Sequence, residues 1–166
     1  MALSATKIPV QSESKLQSAT DMPGAVKVLL VDDDPAILEE LYDVIELEGW
    51  TPITAQSVDD AMQILQTDQN IRVVVTDVHF GNGPDCANGI QFVSRARAKF
   101  ANRTLSYVVL SGDSDQVFSS KDESAFKFLP KPPVPQRLID TIDRAISFDD
   151  GVPTYHKPKS VSRSYA

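Results

Sequence analysis

The chain predicts an α/β fold: a five-stranded parallel sheet with helices on both faces. Short apolar runs alternate five times with amphipathic stretches, the pattern of strands joined by helices. Three of the runs, VKVLLV, IRVVVT and SYVVLS, are apolar without alternation, as strands covered on both faces must be. These three are expected at the centre of the sheet.

The elements follow in order. VKVLLV (26–31) is the first strand. Asp34-Pro35 then supplies a helix cap and a proline at the first helical position, opening a helix with Ile37, Leu41, Val44 and Ile45 on one face and Gly49 at its end. WTPITA is a weaker second strand, and Pro52 assigns it to an edge because proline cannot donate to a ladder. SVDDAMQILQ is a short helix capped by Ser57, with Ala61, Met62 and Leu65 inward. IRVVVT (71–76) is the third strand and NGIQFVSRARAKF the third helix, with Ile90, Val93, Ala96 and Phe100 inward. SYVVLS (106–111) is the fourth strand, SDQVFSSKDE a Ser-rich fourth helix, and AFKFL (125–129) the fifth strand. PQRLIDTIDRAI closes the domain as a fifth helix, with Leu138, Ile142, Ala145 and Ile146 inward.

The organisation is therefore one folded unit over 26–147, between a flexible N-terminal arm (1–25) and a flexible C-terminal tail (148–166), both polar and without apolar periodicity. Cys86 is the one cysteine, which excludes a disulfide framework and a CxxC metal pair and fits a reducing cytoplasm. The first residues lack the apolar core of a signal peptide, and no run approaches the ~20 apolar residues of a membrane span. The net charge is −7. The N-terminal arm is balanced and the tail carries Lys157, Lys159 and Arg163 without an acid, so the excess acid sits in the folded unit. An acidic body repels a phosphate backbone, which argues against nucleic acid as a partner.

Ligands of such sheets bind at the carboxyl ends of the strands, where strand order reverses. Those ends carry Asp32, Asp33 and Asp34 after strand 1, Asp77 after strand 3, Ser111-Gly112 after strand 4 and Lys131 after strand 5. Asp34 is read as the helix cap. The remaining carboxylates repel one another unless a cation joins them, and an all-oxygen acidic pocket with few ligands suits Mg²⁺, which keeps waters and pairs with phosphate oxygens. Lys131 is placed to meet either a carboxylate or an incoming phosphoryl oxygen.

Taken together, VLLVDDDPAILEEL, VVVTDV, VVLSGDSD and AFKFLPKPP, in that order and spacing, resemble the receiver domain of bacterial two-component response regulators over roughly 26–147. The resemblance implies a flavodoxin-like (βα)5 receiver fold. It implies that Asp77 is the phosphoacceptor and that Asp32, Asp33, Asp77 and the backbone carbonyl of His79 hold Mg²⁺. Ser111 would hydrogen-bond the phosphoryl group, Gly112 leave its approach open and Lys131 pair with it. The Lys131-Pro132 bond would be cis, and Ser111 with Phe128 would form the switch. The function implied is a stand-alone receiver in a two-component phosphorelay, a cytoplasmic phosphoprotein rather than an enzyme. It would take its phosphoryl group from a sensor histidine kinase or histidine phosphotransferase and signal to a downstream protein through the helix 4–strand 5–helix 5 face. A homodimer is a further arrangement those helices allow; no membrane or nucleic-acid partner is expected.

Two other functions remain at this point. An Mg²⁺-dependent phosphatase or hydrolase would use Asp77 as nucleophile, but the haloacid-dehalogenase type needs a second Asp two residues on, where this chain has His79. A receiver-like module that binds without phosphorylation would have little use for the complete set of site residues. The chain departs from the family in the loop after Asp77. HFGNGPDCANG has Phe80-Gly81 where the family has Met-Pro, and reaches its Asn-Gly later. The His79 side chain is read as solvent-facing, Asp113 as a position that tunes phosphate lifetime, and Cys86 as an incidental loop thiol.

Overall fold

A computed structural model describes residues 25–79, 89–112 and 126–147. Five parallel strands form one sheet: β1 (Lys27–Val31), β2 (Thr51–Ala55), β3 (Ile71–Asp77), β4 (Ser106–Ser111) and β5 (Lys127–Pro130), in the order β2-β1-β3-β4-β5. Among the described residues, four helices cover them: α1 (Pro35–Leu47), α2 (Val58–Thr67), α3 (Gly89–Lys99) and α4 (Pro135–Ser147). The helix expected over 114–123, the loop from Phe80 to Asn88, Asp113 and Cys86 lie outside the described residues; α4 is the helix expected fifth in sequence.

The apolar strands are the central ones, as their composition requires. Along β1, Val28 and Leu30 face one side while Leu29 and Val31 face the other. The same alternation puts Val73, Val75, Val108 and Leu110 on the first side and Val74 and Val109 on the second. Among the described residues, each side is covered by a pair of helices. Leu38, Leu41 and Ile45 of α1 join Leu138, Ile142 and Ile146 of α4 over one face, and Ala61 and Leu65 of α2 join Phe92, Val93 and Ala96 of α3 over the other. Burying one such Leu, Ile or Phe contributes about 1.5–3 kcal/mol, so these two layers supply most of the stabilisation. Pro52 lies on edge strand β2, where its missing N–H costs no interstrand bond.

Caps stop and start the helices as the local sequence dictates. The Asp34 carboxylate accepts the Ala36 N–H at 2.9 Å, the Ser57 hydroxyl accepts that of Asp60 at 3.1 Å, and Gly49 takes φ +80° just after α1. The helix stripes are rotated slightly from expectation. Leu38 rather than Ile37 is buried in α1, Phe92 rather than Ile90 in α3, and Ile139 is buried while Ala145 is half-buried in α4. Helical period defines a stripe about 100° wide, and contact with the sheet selects its centre.

The topology fixes where the site must be. From β1 the chain crosses to β2 on one side and then to β3 on the other, so strand order reverses between β1 and β3. A crevice opens there, outside the carboxyl ends of both strands.

Candidate functional site

Asp32 and Asp33 leave β1 at this crevice, and Asp77 ends β3 beside them. Carboxylate oxygens of the three lie within 4.8 Å of one another. Asp32 is 1% exposed and Asp33 is exposed at the rim. Each is fixed by its strand. The Asp32 N–H donates to Ala55 O at 3.2 Å, and its Oδ1 accepts the Asp34 N–H at 3.0 Å. Beyond Asp77, the Val78 N–H donates to Leu110 O at 3.0 Å, continuing the β3–β4 ladder.

Lys131 crosses the crevice from the end of β5. Its N–H donates to Ser111 O at 2.8 Å, which extends the β4–β5 pairing and fixes the side chain's root next to Ser111. Its Nζ lies 2.6 Å from Asp32 Oδ2 and 3.1 Å from Asp77 Oδ2, so one ammonium bridges two carboxylates. Burial pulls the Lys131 ammonium down, but hydrogen bonds and charge from Asp32 and then Asp77 outweigh it and hold the group above the ordinary lysine range. It is therefore charged at neutral pH. The Lys131-Pro132 peptide is cis.

The other expected residues are placed as follows. Ser111 is the last residue of β4 and is 7% exposed. Gly112 follows it, and a Cβ there would meet nothing within 4 Å. His79 is exposed two residues after Asp77. Phe128 is half-buried on β5 against the core under α2 and α3, its ring 4.8 Å from that of Phe126 at 73°. Two further residues bear on Asp77: Thr76, which the sequence did not single out, and Gly89, noted there only as the glycine of the loop's Asn-Gly pair. The Thr76 hydroxyl donates to Asp77 O at 3.1 Å, and Gly89, which opens α3, donates its N–H to Val78 O at 2.7 Å. Helix-opening glycines are ordinary in sequence; only the packing marks this one.

Three carboxylates with one ammonium leave the crevice with excess negative charge. The donor set is all oxygen and partly open at Asp33, which fits a hard divalent cation that keeps several waters, such as Mg²⁺. The arrangement can hold a cation between Asp32, Asp33 and Asp77 and present an Asp77 oxygen to an electrophile beside Lys131.

Known proteins share this architecture. Residues 28–143 match the family model of the response regulator receiver domain. The two-component response regulator PprB of Pseudomonas aeruginosa is 28% identical over 120 residues, which cover 70% of this chain and 42% of that protein. The transcriptional regulatory protein GlrR of Escherichia coli K12 is 25% identical over 119 residues, 72% of this chain and 26% of that one. The chain thus spans less than half the length of these curated relatives. Among solved structures, a response regulator receiver domain protein from Clostridium thermocellum is 26% identical with a TM-score of 0.64, covering 74% of this chain and 95% of that one. The chemotaxis protein CheY4 of Vibrio cholerae, 24% identical with a TM-score of 0.60 over 73% of this chain and 98% of its own, shares the fold. With its sheet order, its crevice between β1 and β3 and this family match, the chain belongs to the response regulator receiver domains of two-component systems.

Proposed function

We propose that this chain is a phosphorylatable receiver in which Asp77 accepts a phosphoryl group from a phosphohistidine of a sensor histidine kinase or histidine phosphotransferase. The single observation that carries this reading is the Lys131 ammonium bridging Asp32 and Asp77 at the mouth of a three-carboxylate cluster. It supports the reading because a cation held there would meet the charge of an incoming phosphoryl group.

An oxygen of Asp77 forms the new O–P bond as the P–N bond to the donor imidazole breaks. The imidazole nitrogen leaves with the bonding pair and takes up a proton. Asp32, Asp33, Asp77 and the His79 carbonyl would hold Mg²⁺, which when bound screens phosphoryl charge and so makes a carboxylate a competent nucleophile. Lys131 gives up its contact with Asp77 to meet a phosphoryl oxygen while keeping Asp32. The Ser111 hydroxyl, at the end of the neighbouring strand, bonds another phosphoryl oxygen. Movement of Ser111 and repacking of Phe128 then alter the face of β5 and α4, to which a downstream protein binds. Among the described residues, a groove between α1 and α4 opens beside Lys131, lined by Ile37, Glu40, Leu41, Val44, Pro132 and Pro135.

On this reading the receiver unit is 26–147, and the protein acts in the cytoplasm, turning over no substrate beyond its own phosphoryl group. No helix among the described residues is long and apolar enough to cross a membrane. The test is incubation with acetyl phosphate, with and without Mg²⁺, followed by intact mass. Wild type gains one phosphoryl group only with the metal, and Asp77→Asn gains none. Uptake by Asp77→Asn at the wild-type rate sinks the assignment, and sustained release of phosphate from a small ester points to a hydrolase instead.

A further inference from the structure

The Asp77 carboxylate is useful only if its main chain is held still, and the structure shows what holds it. The carbonyl oxygen of Asp77 accepts the Thr76 hydroxyl at 3.1 Å on one side. On the other it faces the first residue of α3. A Cβ on Gly89 would stand 1.8 Å from Asp77 O and 2.9 Å from Asp77 C, both backbone atoms. Neither can swing aside as the tip of a side chain would. Gly89 is also tied down, since its N–H donates to Val78 O at 2.7 Å and α3 is anchored through Phe92, Val93 and Ala96.

We propose that Gly89 is a positioning residue for phosphoryl acceptance: its missing side chain lets α3 seat against the Asp77 carbonyl and so sets where the Asp77 carboxylate stands. This rests on the reading of Asp77 as the phosphoacceptor. Any side chain at 89 must push the Asp77 backbone or α3 away. Although Val78 keeps its bond to Leu110 O, α3 is held by three buried side chains, so part of the displacement falls on Asp77. Its carboxylate then leaves the 3.1 Å contact with Lys131 and the 4.8 Å cluster with Asp32 and Asp33. A misplacement of roughly 1 Å at a reacting atom can cost about a hundredfold in rate.

The experiment compares Gly89→Ala with Leu65→Ala, a cavity variant on α2 outside the contacts that seat α3 against Asp77, in acetyl phosphate with saturating Mg²⁺. Phosphorylation rate is read by mass and stability by thermal unfolding. Gly89→Ala is expected to slow phosphorylation about a hundredfold. Leu65→Ala, although destabilised by the cavity, is expected to stay within about twofold of wild type below its melting range. Equal slowing in both variants, tracking their loss of stability, reduces Gly89 to a structural residue and overturns the proposal. Should Gly89→Ala fail to fold, Thr76→Val decides, because it frees the same carbonyl oxygen without adding bulk. Several-fold slower uptake by a folded Thr76→Val supports the proposal, and an unchanged rate overturns it. Asp77→Asn run alongside separates the two readings. If it still takes up phosphate, the phosphoacceptor assignment has failed; if it does not while Gly89→Ala reacts at the wild-type rate, only the role of Gly89 has failed.

Discussion

The two ends of the sheet use the same kinds of residue to opposite ends. At the carboxyl ends of the strands, Asp32, Asp33 and Asp77 crowd like charges together, and one lysine is shared between two of them. At the amino ends Arg103, Lys27 and Asp68 are each matched by an opposite charge or by carbonyls. The Arg103 guanidinium donates to the carbonyls of Leu65, Asp68 and Ile71 and lies over the Phe100 ring, tying the turn after α2 to the turn before β4. Nearby, Lys27 on β1 pairs with Asp68 at 3.0 Å. One end is arranged for stability. The other holds excess negative charge that a bound cation would relieve. Residue type alone does not separate them; the balance of opposite charges does.

If this division is right, variants at the two ends should affect different measurements. Replacing Lys131 with Ala removes the ammonium shared by Asp32 and Asp77 and should slow phosphorylation by about a hundredfold or more, the usual consequence of losing one preorganised electrostatic contact. A rate within a few-fold of wild type would show that the bridge is structural. Arg103→Leu should do the reverse. It strips donors from three backbone carbonyls and should cost about 2 kcal/mol of stability in urea unfolding while the phosphorylation rate below the transition stays unchanged. Loss of rate without loss of stability would merge the two ends into one functional unit.

Smaller effects test the amino end further. Burial pushes the Asp68 carboxyl up, but the Asn70 N–H, the Lys27 ammonium and the charge of Arg103 outweigh it and hold the group below its ordinary value. A carboxyl with a lowered folded-state pKa stabilises above its unfolded pKa and loses that stabilisation as pH falls. Wild type should therefore lose more stability than Asp68→Asn on acidification below pH 4, by about 0.5 kcal/mol for so exposed a pair. Tyr107, near the start of β4, has a buried hydroxyl without a hydrogen-bond partner. Burial pushes its pKa up to about 12, against the pull of Arg97 and Arg103. A raised pKa means stability is intact below pH 10 and lost as pH climbs towards 12, because the unfolded chain ionises first. Tyr107→Phe should be neutral within about 0.5 kcal/mol at pH 7, since no hydrogen bond is lost, and should lack that alkaline decline. Circular dichroism melts at pH 7 and pH 11 check both points.

Much of this was legible in the chain. The unbroken apolar runs marked β1, β3 and β4 as central, and Pro52 marked β2 as an edge, because burial on both faces and ladder donation are properties of each strand's own residues. Asp34, Ser57 and Gly49 marked helix ends through contacts a few residues long. Asp32, Asp33, Asp77, Ser111 and Lys131 could be named as strand-end residues for the same reason. What they do to one another could not. Lys131 meets Asp32 across 99 positions, and nothing local says that it bridges two carboxylates rather than facing solvent. The phase of α1, α3 and α4 was settled by the sheet they lie on, since a 3.6-residue period defines a stripe and not its centre. Gly89 makes the contrast sharpest. By itself it is one glycine after an asparagine, with no required backbone conformation to single it out. Only when α3 is seated against β3 does the lack of a Cβ become the condition for Asp77 to stand where it does, because steric exclusion acts between surfaces that the fold alone brings together.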